Sequence, residues 1–162
     1  MNLEKFGVQV DDSTGIKYHI FEREKVREIA QELKENGFDY ISFITAIDRK
    51  EFLEVVYLFR NLDTGEEIFL KSKVPADDPR IPSIADIYYG ANWLEREAYD
   101  LLGVIFEGHP DLRRILLPPD YEGHPLRKDF PMHMEYEPYR SGDWLVNHQN
   151  VPPARKGEQE KK

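Results

Sequence analysis

Residues 93–131 read WLEREAYDLLGVIFEGHPDLRRILLPPDYEGHPLRKDFP. The stretch begins as a helix and ends as something that cannot be one. Leu94, Ala98, Leu101 and Leu102 fall on one helical face, with Arg96, Tyr99 and Asp100 turned away from it. Asn92 is the expected N-cap, with Glu95 completing a capping box. Gly103 is the expected stop, because glycine enters the left-handed conformation without a Cβ penalty. Beyond it come prolines 110, 118, 119, 125 and 131 and glycines 108, 123 and 142, which exclude a long helix or a central strand. Ile115, Leu116, Leu117, Leu126, Phe130 and Trp144 still require burial, so the segment is no flexible linker. It reads as an arm that must lie against a surface.

Working outward, Ile16, Tyr18 and Ile20 alternate after a Ser-Thr-Gly turn, which predicts short extended structure over 8–20. Val26, Ile29, Ala30 and Leu33 form a helical stripe that Asn36-Gly37 closes. Phe38 to Asp48 reads as a strand, apolar enough to be covered on both faces or central in its sheet. Glu51–Arg60 and Glu66–Val74 flank Asp63-Thr64-Gly65 as an antiparallel hairpin, with Lys71 and Lys73 expected to face solvent. Ser83 is expected to open a short helix reaching Tyr89. The fold class is therefore α+β: a sheet of about four strands, antiparallel or mixed, with helices packed on it. Residues 1–105 form that domain, 106–150 the arm and 151–162 a charged tail, of which Arg155–Lys162 is expected to be dispensable.

Composition narrows the function. The net charge of −9 argues against a nucleic-acid binder, and the chain has no cysteine, which removes disulfides, thiolate catalysis and cysteine-ligated clusters. No apolar run approaches the ~20 residues that cross a bilayer and no signal peptide is apparent, so an intracellular, non-spanning chain is expected.

Candidate chemistry is weak on geometry. Glu95, Glu97 and Asp100 suggest acid–base carboxylates, yet at about 100° per residue Glu95 and Glu97 lie on opposite flanks of the apolar stripe. Structural ion pairs fit better: Arg96 with Asp100 at i,i+4, and Arg113 and Arg114 folding back as forks for these carboxylates. His109, His124 and His133 invite zinc, but their spacings of fifteen and nine match no usual site. Gly108-His109-Pro110 and Gly123-His124-Pro125 read better as two sharp turns. Leu126-Arg127-Lys128-Asp129-Phe130 reads as a protein-docking element, since residues 111–130 hold four cations and four anions. There is no phosphate loop, Rossmann fingerprint or nucleophile elbow.

Three blocks in order, PADDPRIPS, ANWLEREAYDLLGVIFEGHPDLRRIL and GHPLRKDFP, resemble the signatures of the 30-kDa subunit family of respiratory complex I, NADH–quinone oxidoreductase, also called its C subunit. The resemblance runs from about Val74 to Pro131. It implies an α+β domain with an extended carboxy-terminal segment and no redox cofactor in this chain; FMN, iron–sulfur clusters, NADH and quinone belong to partner subunits. It also implies packing beside the D (49-kDa) subunit, near the B subunit and the rest of the peripheral arm, on the cytoplasmic side of the plasma membrane, with the membrane reached only through the complex. The arm would be mobile in the free chain and extended along the D-like subunit after assembly. The signatures are shared with subunits of membrane-bound hydrogenases, F420H2 dehydrogenases and photosynthetic NDH complexes. A different class, a free-standing acid–base hydrolase using Glu95, Glu97 and a histidine, stands as the distant alternative.

Overall fold

A computed structural model gives the fold for residues 3–12 and 15–132. His133, Gly142, Trp144 and the charged tail lie outside those residues. In chain order the elements are β1 (Gln9–Asp11), β2 (Tyr18–Phe21), α1 (Val26–Glu35), β3 (Tyr40–Asp48), β4 (Phe52–Arg60), β5 (Glu67–Pro75), β6 (Arg80–Pro82), α2 (Ala91–Leu102) and β7 (Ile105–Glu107). Five strands form a mixed sheet in the order β1-β2-β5-β4-β3, antiparallel except where β2 runs parallel to β5. β6 and β7 make a separate parallel pair.

The α1 stripe is read correctly: Val26, Ile29, Ala30 and Leu33 are all fully buried. They meet Leu53, Val55, Tyr57 and Phe59, which alternate along one face of β4. Tyr88 ties the layers together, donating its hydroxyl to the Phe38 carbonyl at 2.7 Å and packing edge-on against Phe59. Ala91, Ala98 and Leu102 bring α2 onto the same core, beside β3.

Four local expectations are corrected. β3 sits at the edge of the sheet; β4, bonded on both sides, is the covered strand. A bulge between Ile41 and Phe43 breaks the alternation of β3, which made its apolar residues look two-sided. Lys71 is largely covered, its ammonium 3.9 Å from the Tyr18 ring centre, and only Lys73 is exposed. Residues 85–87 make one turn and no helix. Helix α2 begins at Ala91 after Gly90 with no side-chain cap, so the capping box is not formed.

Gly103 ends α2 as expected, at φ 77°, and also makes room. A Cβ there would lie 2.7 Å from His124 Cδ2. Gly103→Ala is expected to cost about 1–3 kcal/mol from left-handed strain and displacement of the His124 ring. Chemical denaturation measures the loss, and the His124 ring resonances report the displacement.

Candidate functional site

The sequence-flagged residues gather along α2, where three charged side chains are buried: Glu95, Arg96 and Asp100. Glu95 is held by the segment after β6, and Arg96 and Asp100 by the arm. Glu95 Oε1 accepts the Ile84 amide at 2.8 Å and Oε2 accepts the Ser83 hydroxyl at 2.6 Å. It therefore ties α2 to the turn after β6, which is why it is unavailable as a cap. Burial pushes its carboxyl up to about 7, against the partial opposition of these two donors. Among the described residues the buried Tyr57 hydroxyl has no hydrogen-bond partner, and burial with the Glu95 charge holds it well above its usual range.

His109 Nε2 lies 4.0 Å from Glu95 Oε2. Its Nδ1 accepts the Asp111 amide at 3.0 Å, so its proton sits on Nε2 and is donated to the Asn92 carbonyl at 3.1 Å. The second Gly-His-Pro turn repeats the device at the other end of the helix. His124 Nδ1 donates to the Asp100 carbonyl at 2.9 Å, with its ring edge-on to Tyr99. The two histidines thus serve carbonyls eight residues apart in the sequence, about 12 Å along the helix. Among the described residues, no three His, Cys, Asp or Glu side chains gather as a metal site.

Asp100 gathers the most partners. Its Oδ2 accepts three consecutive amides, from Ile115 (3.0 Å), Leu116 (2.8 Å) and Leu117 (2.9 Å). Its Oδ1 accepts Arg114 Nη1 at 2.7 Å. Burial pushes this carboxyl up, but the amides of Leu117 and its neighbours, together with Arg114, outweigh burial and hold it below the usual range. The expected Arg96–Asp100 pair is absent, because Arg96 donates instead to the carbonyls of Arg113 (3.1 Å) and Arg114 (3.0 Å). Arg114 folds back as a fork, reaching the Gly123 carbonyl with its other nitrogen. Arg113 points outward and pairs with Asp111. Glu97 is exposed, so it shares no site with Glu95.

Sequence reasoning missed a second carboxylate clasp. Asp48, at the end of β3, accepts the Lys50 amide at 2.6 Å within its own turn and the Lys128 amide at 2.8 Å from the arm. Burial raises its carboxyl, and the two amides with Arg127 pull it lower than usual. Arg127 donates to the Ala76 carbonyl at 2.9 Å and the Leu102 carbonyl at 3.4 Å. The Leu126 amide donates to the Leu101 carbonyl at 3.0 Å. Lys128 and Asp129 are exposed, and Phe130 stacks on Tyr121 over Gly123. The arm between 109 and 130 therefore folds back along α2 rather than leaving the domain, and β7 spans the boundary expected at 105. The sequence signal for a return to α2 was the pair of arginines at 113 and 114, expected to fold back onto its carboxylates.

The fold and this strap define an α+β module whose buried carboxylates hold its own backbone. The family model for the respiratory-chain NADH dehydrogenase 30 Kd subunit matches residues 19–136, and the chain belongs to that family. It is 39% identical over 148 residues to NADH-quinone oxidoreductase subunit 5 of Thermus thermophilus, covering 84% of this chain and 72% of that one. It is 39% identical over 146 residues to the C subunit of NADH-quinone oxidoreductase from Geobacter sulfurreducens, covering 85% and 90%. Among solved structures, a trypsin-resistant Nqo5 fragment superposes with a TM-score of 0.61 at 35% identity, over 67% of this chain and 92% of that one. A chain of an archaeal membrane-bound sulfane sulfur reductase gives 0.69 at 27% identity, over 99% and 94%.

Proposed function

We propose that this chain is the 30-kDa subunit of a proton-pumping NADH–quinone oxidoreductase, a scaffold that makes no bond-breaking step of its own. The observation that carries this is the fate of its charged residues. Each carboxylate that looked catalytic either closes the chain on itself, as Glu95 and Asp100 do, or lies at the surface away from the others, as Glu97 does. The redox groups, FMN, iron–sulfur clusters, NADH and quinone, then reside in partner subunits. The chain packs beside the D (49-kDa) subunit, close to B, on the cytoplasmic side of the plasma membrane. No helix among the described residues is long and apolar enough to cross a membrane, in keeping with peripheral attachment through the complex.

The likeness to the sulfane sulfur reductase chain supports a second reading, the equivalent subunit of a related membrane complex with another electron donor. The higher identity to the quinone-oxidoreductase subunits, 39% against 27%, favours the first. Affinity purification of the tagged chain from its native membranes tests both. D- and B-like subunits are expected at equal stoichiometry, with NADH-driven quinone reduction in the eluate. Recovery of the chain alone would overturn the scaffold reading, and reduction of sulfur but not quinone would favour the second.

A further inference from the structure

The arm exposes what the folded-back geometry leaves over. Trp93 is 62% exposed, Leu116 61% and Leu126 58%. They follow α2 from its first turn to its last. Trp93 carries the Arg96 guanidinium 5.2 Å from its ring centre, the Leu116 amide sits on Asp100, and the Leu126 amide sits on the Leu101 carbonyl. Pinned backbone at Leu116 and Leu126 means that these side chains are held outward before any partner arrives. An exposed tryptophan is a typical hot-spot residue, and apolar side chains held in place beforehand lower the ordering cost of binding.

The charges around them are sorted by direction. Arg96, Arg114 and Arg127 turn inward to carbonyls and aspartates. Among the exposed residues of 91–132 there remain Glu97, Glu107, Asp111, Glu122 and Asp129, five anions, against Arg113 and Lys128, two cations. Arg113 is occupied by Asp111, and Glu107 lies 3.6 Å from Arg80. Asp129 lies 3.9 Å from Arg127 but is 83% exposed, so with Glu97 and Glu122 it stays open to solvent.

We infer that the α2–arm surface is a preformed docking face for a basic face of a neighbouring protein in the assembly, one that offers apolar sockets for Trp93, Leu116 and Leu126 and lysine or arginine to Glu97, Glu122 and Asp129. This rests on the scaffold reading and names the surface and the partner chemistry. A second copy of this chain has the wrong sign, at net charge −9.

The test is hydroxyl-radical footprinting of the full chain, free and in the purified complex. Oxidation of Trp93, Leu116 and Leu126 is expected to fall at least tenfold on assembly. The triple variant Glu97→Lys, Glu122→Lys, Asp129→Lys is expected to weaken association at least tenfold at low salt, with the difference shrinking as salt is added. Far-ultraviolet circular dichroism checks that the variant is folded, since all three positions are exposed. Equal oxidation in the free chain and in an intact complex would overturn the docking face while leaving the scaffold role standing. Undiminished association of the triple variant would overturn the basic partner. Protection that grows with concentration of the isolated chain would assign the face to a second copy and overturn the proposal. A chain that joins no complex removes both readings.

Discussion

Asp100→Ala is expected to cost about 3–5 kcal/mol of stability. The carboxylate has no exposed side-chain surface, and its removal strands the Arg114 guanidinium and the amides of Ile115, Leu116 and Leu117 together. Breaking one side of a buried ion pair alone accounts for a loss of this order, and the unpaired amides add to it. The damage starts locally: amides 115–117 are expected to lose their exchange protection before the sheet does. Asp100→Asn should recover only part of the loss, because one carboxamide group cannot accept from Arg114 and three amides with both ends. Urea unfolding of the three proteins measures the series. A loss below about 1 kcal/mol for the alanine variant would mean that the strap contributes little to the fold.

The second large effect is a pH dependence at Glu95. Its folded-state carboxyl lies at about 7 against an ordinary 4.5, with burial as the main cause. The native state therefore holds a proton that the unfolded state releases. The associated stability is fully present below about pH 4.5 and is lost as pH rises through about 7. The difference in pKa corresponds to about 3 kcal/mol. Glu95→Gln should flatten the profile, matching the parent near pH 5 and exceeding it by about 2–3 kcal/mol near pH 8.5, with Ser83 turning its hydroxyl to accept from the new amide. Asp100 and Asp48, whose carboxyls are lowered, oppose this trend only at the acid end, where their contribution is lost as pH falls below the usual carboxylate range. Side-chain carbon shifts across a pH titration check it directly; a Glu95 midpoint near 4.5 would refute the assignment.

What was legible in the sequence was what depends on local periodicity. The α1 stripe, the β4–β5 hairpin and the Gly103 stop all follow from spacing within a few residues. Two of the failures share one cause, a distant partner that displaces a local one. Glu95 has the right spacing to cap α2 but meets the Ile84 amide, far from its own first turn. Arg96 has the right spacing for Asp100 but finds two arm carbonyls that only exist once the arm has turned. β6 and β7 are three residues each, too short to show alternation, and pair only because α2 between them returns the chain. Family resemblance carried the functional class further than these residues could. The Gly-His-Pro repeats were visible as turns. Their purpose, placing a histidine beneath an α2 carbonyl at each end, was not.

The central claim is that the arm belongs to the domain before any partner binds. Amide exchange of the isolated full chain at residues 115, 116, 117 and 128 tests it most directly. Because their acceptors, Asp100 and Asp48, are buried, these four amides are expected to exchange as slowly as those in the last turn of α2, with no further slowing on assembly. Exchange at the rate of an unstructured peptide, with protection appearing only in the complex, would contradict the account and make the arm a segment that folds on its partner.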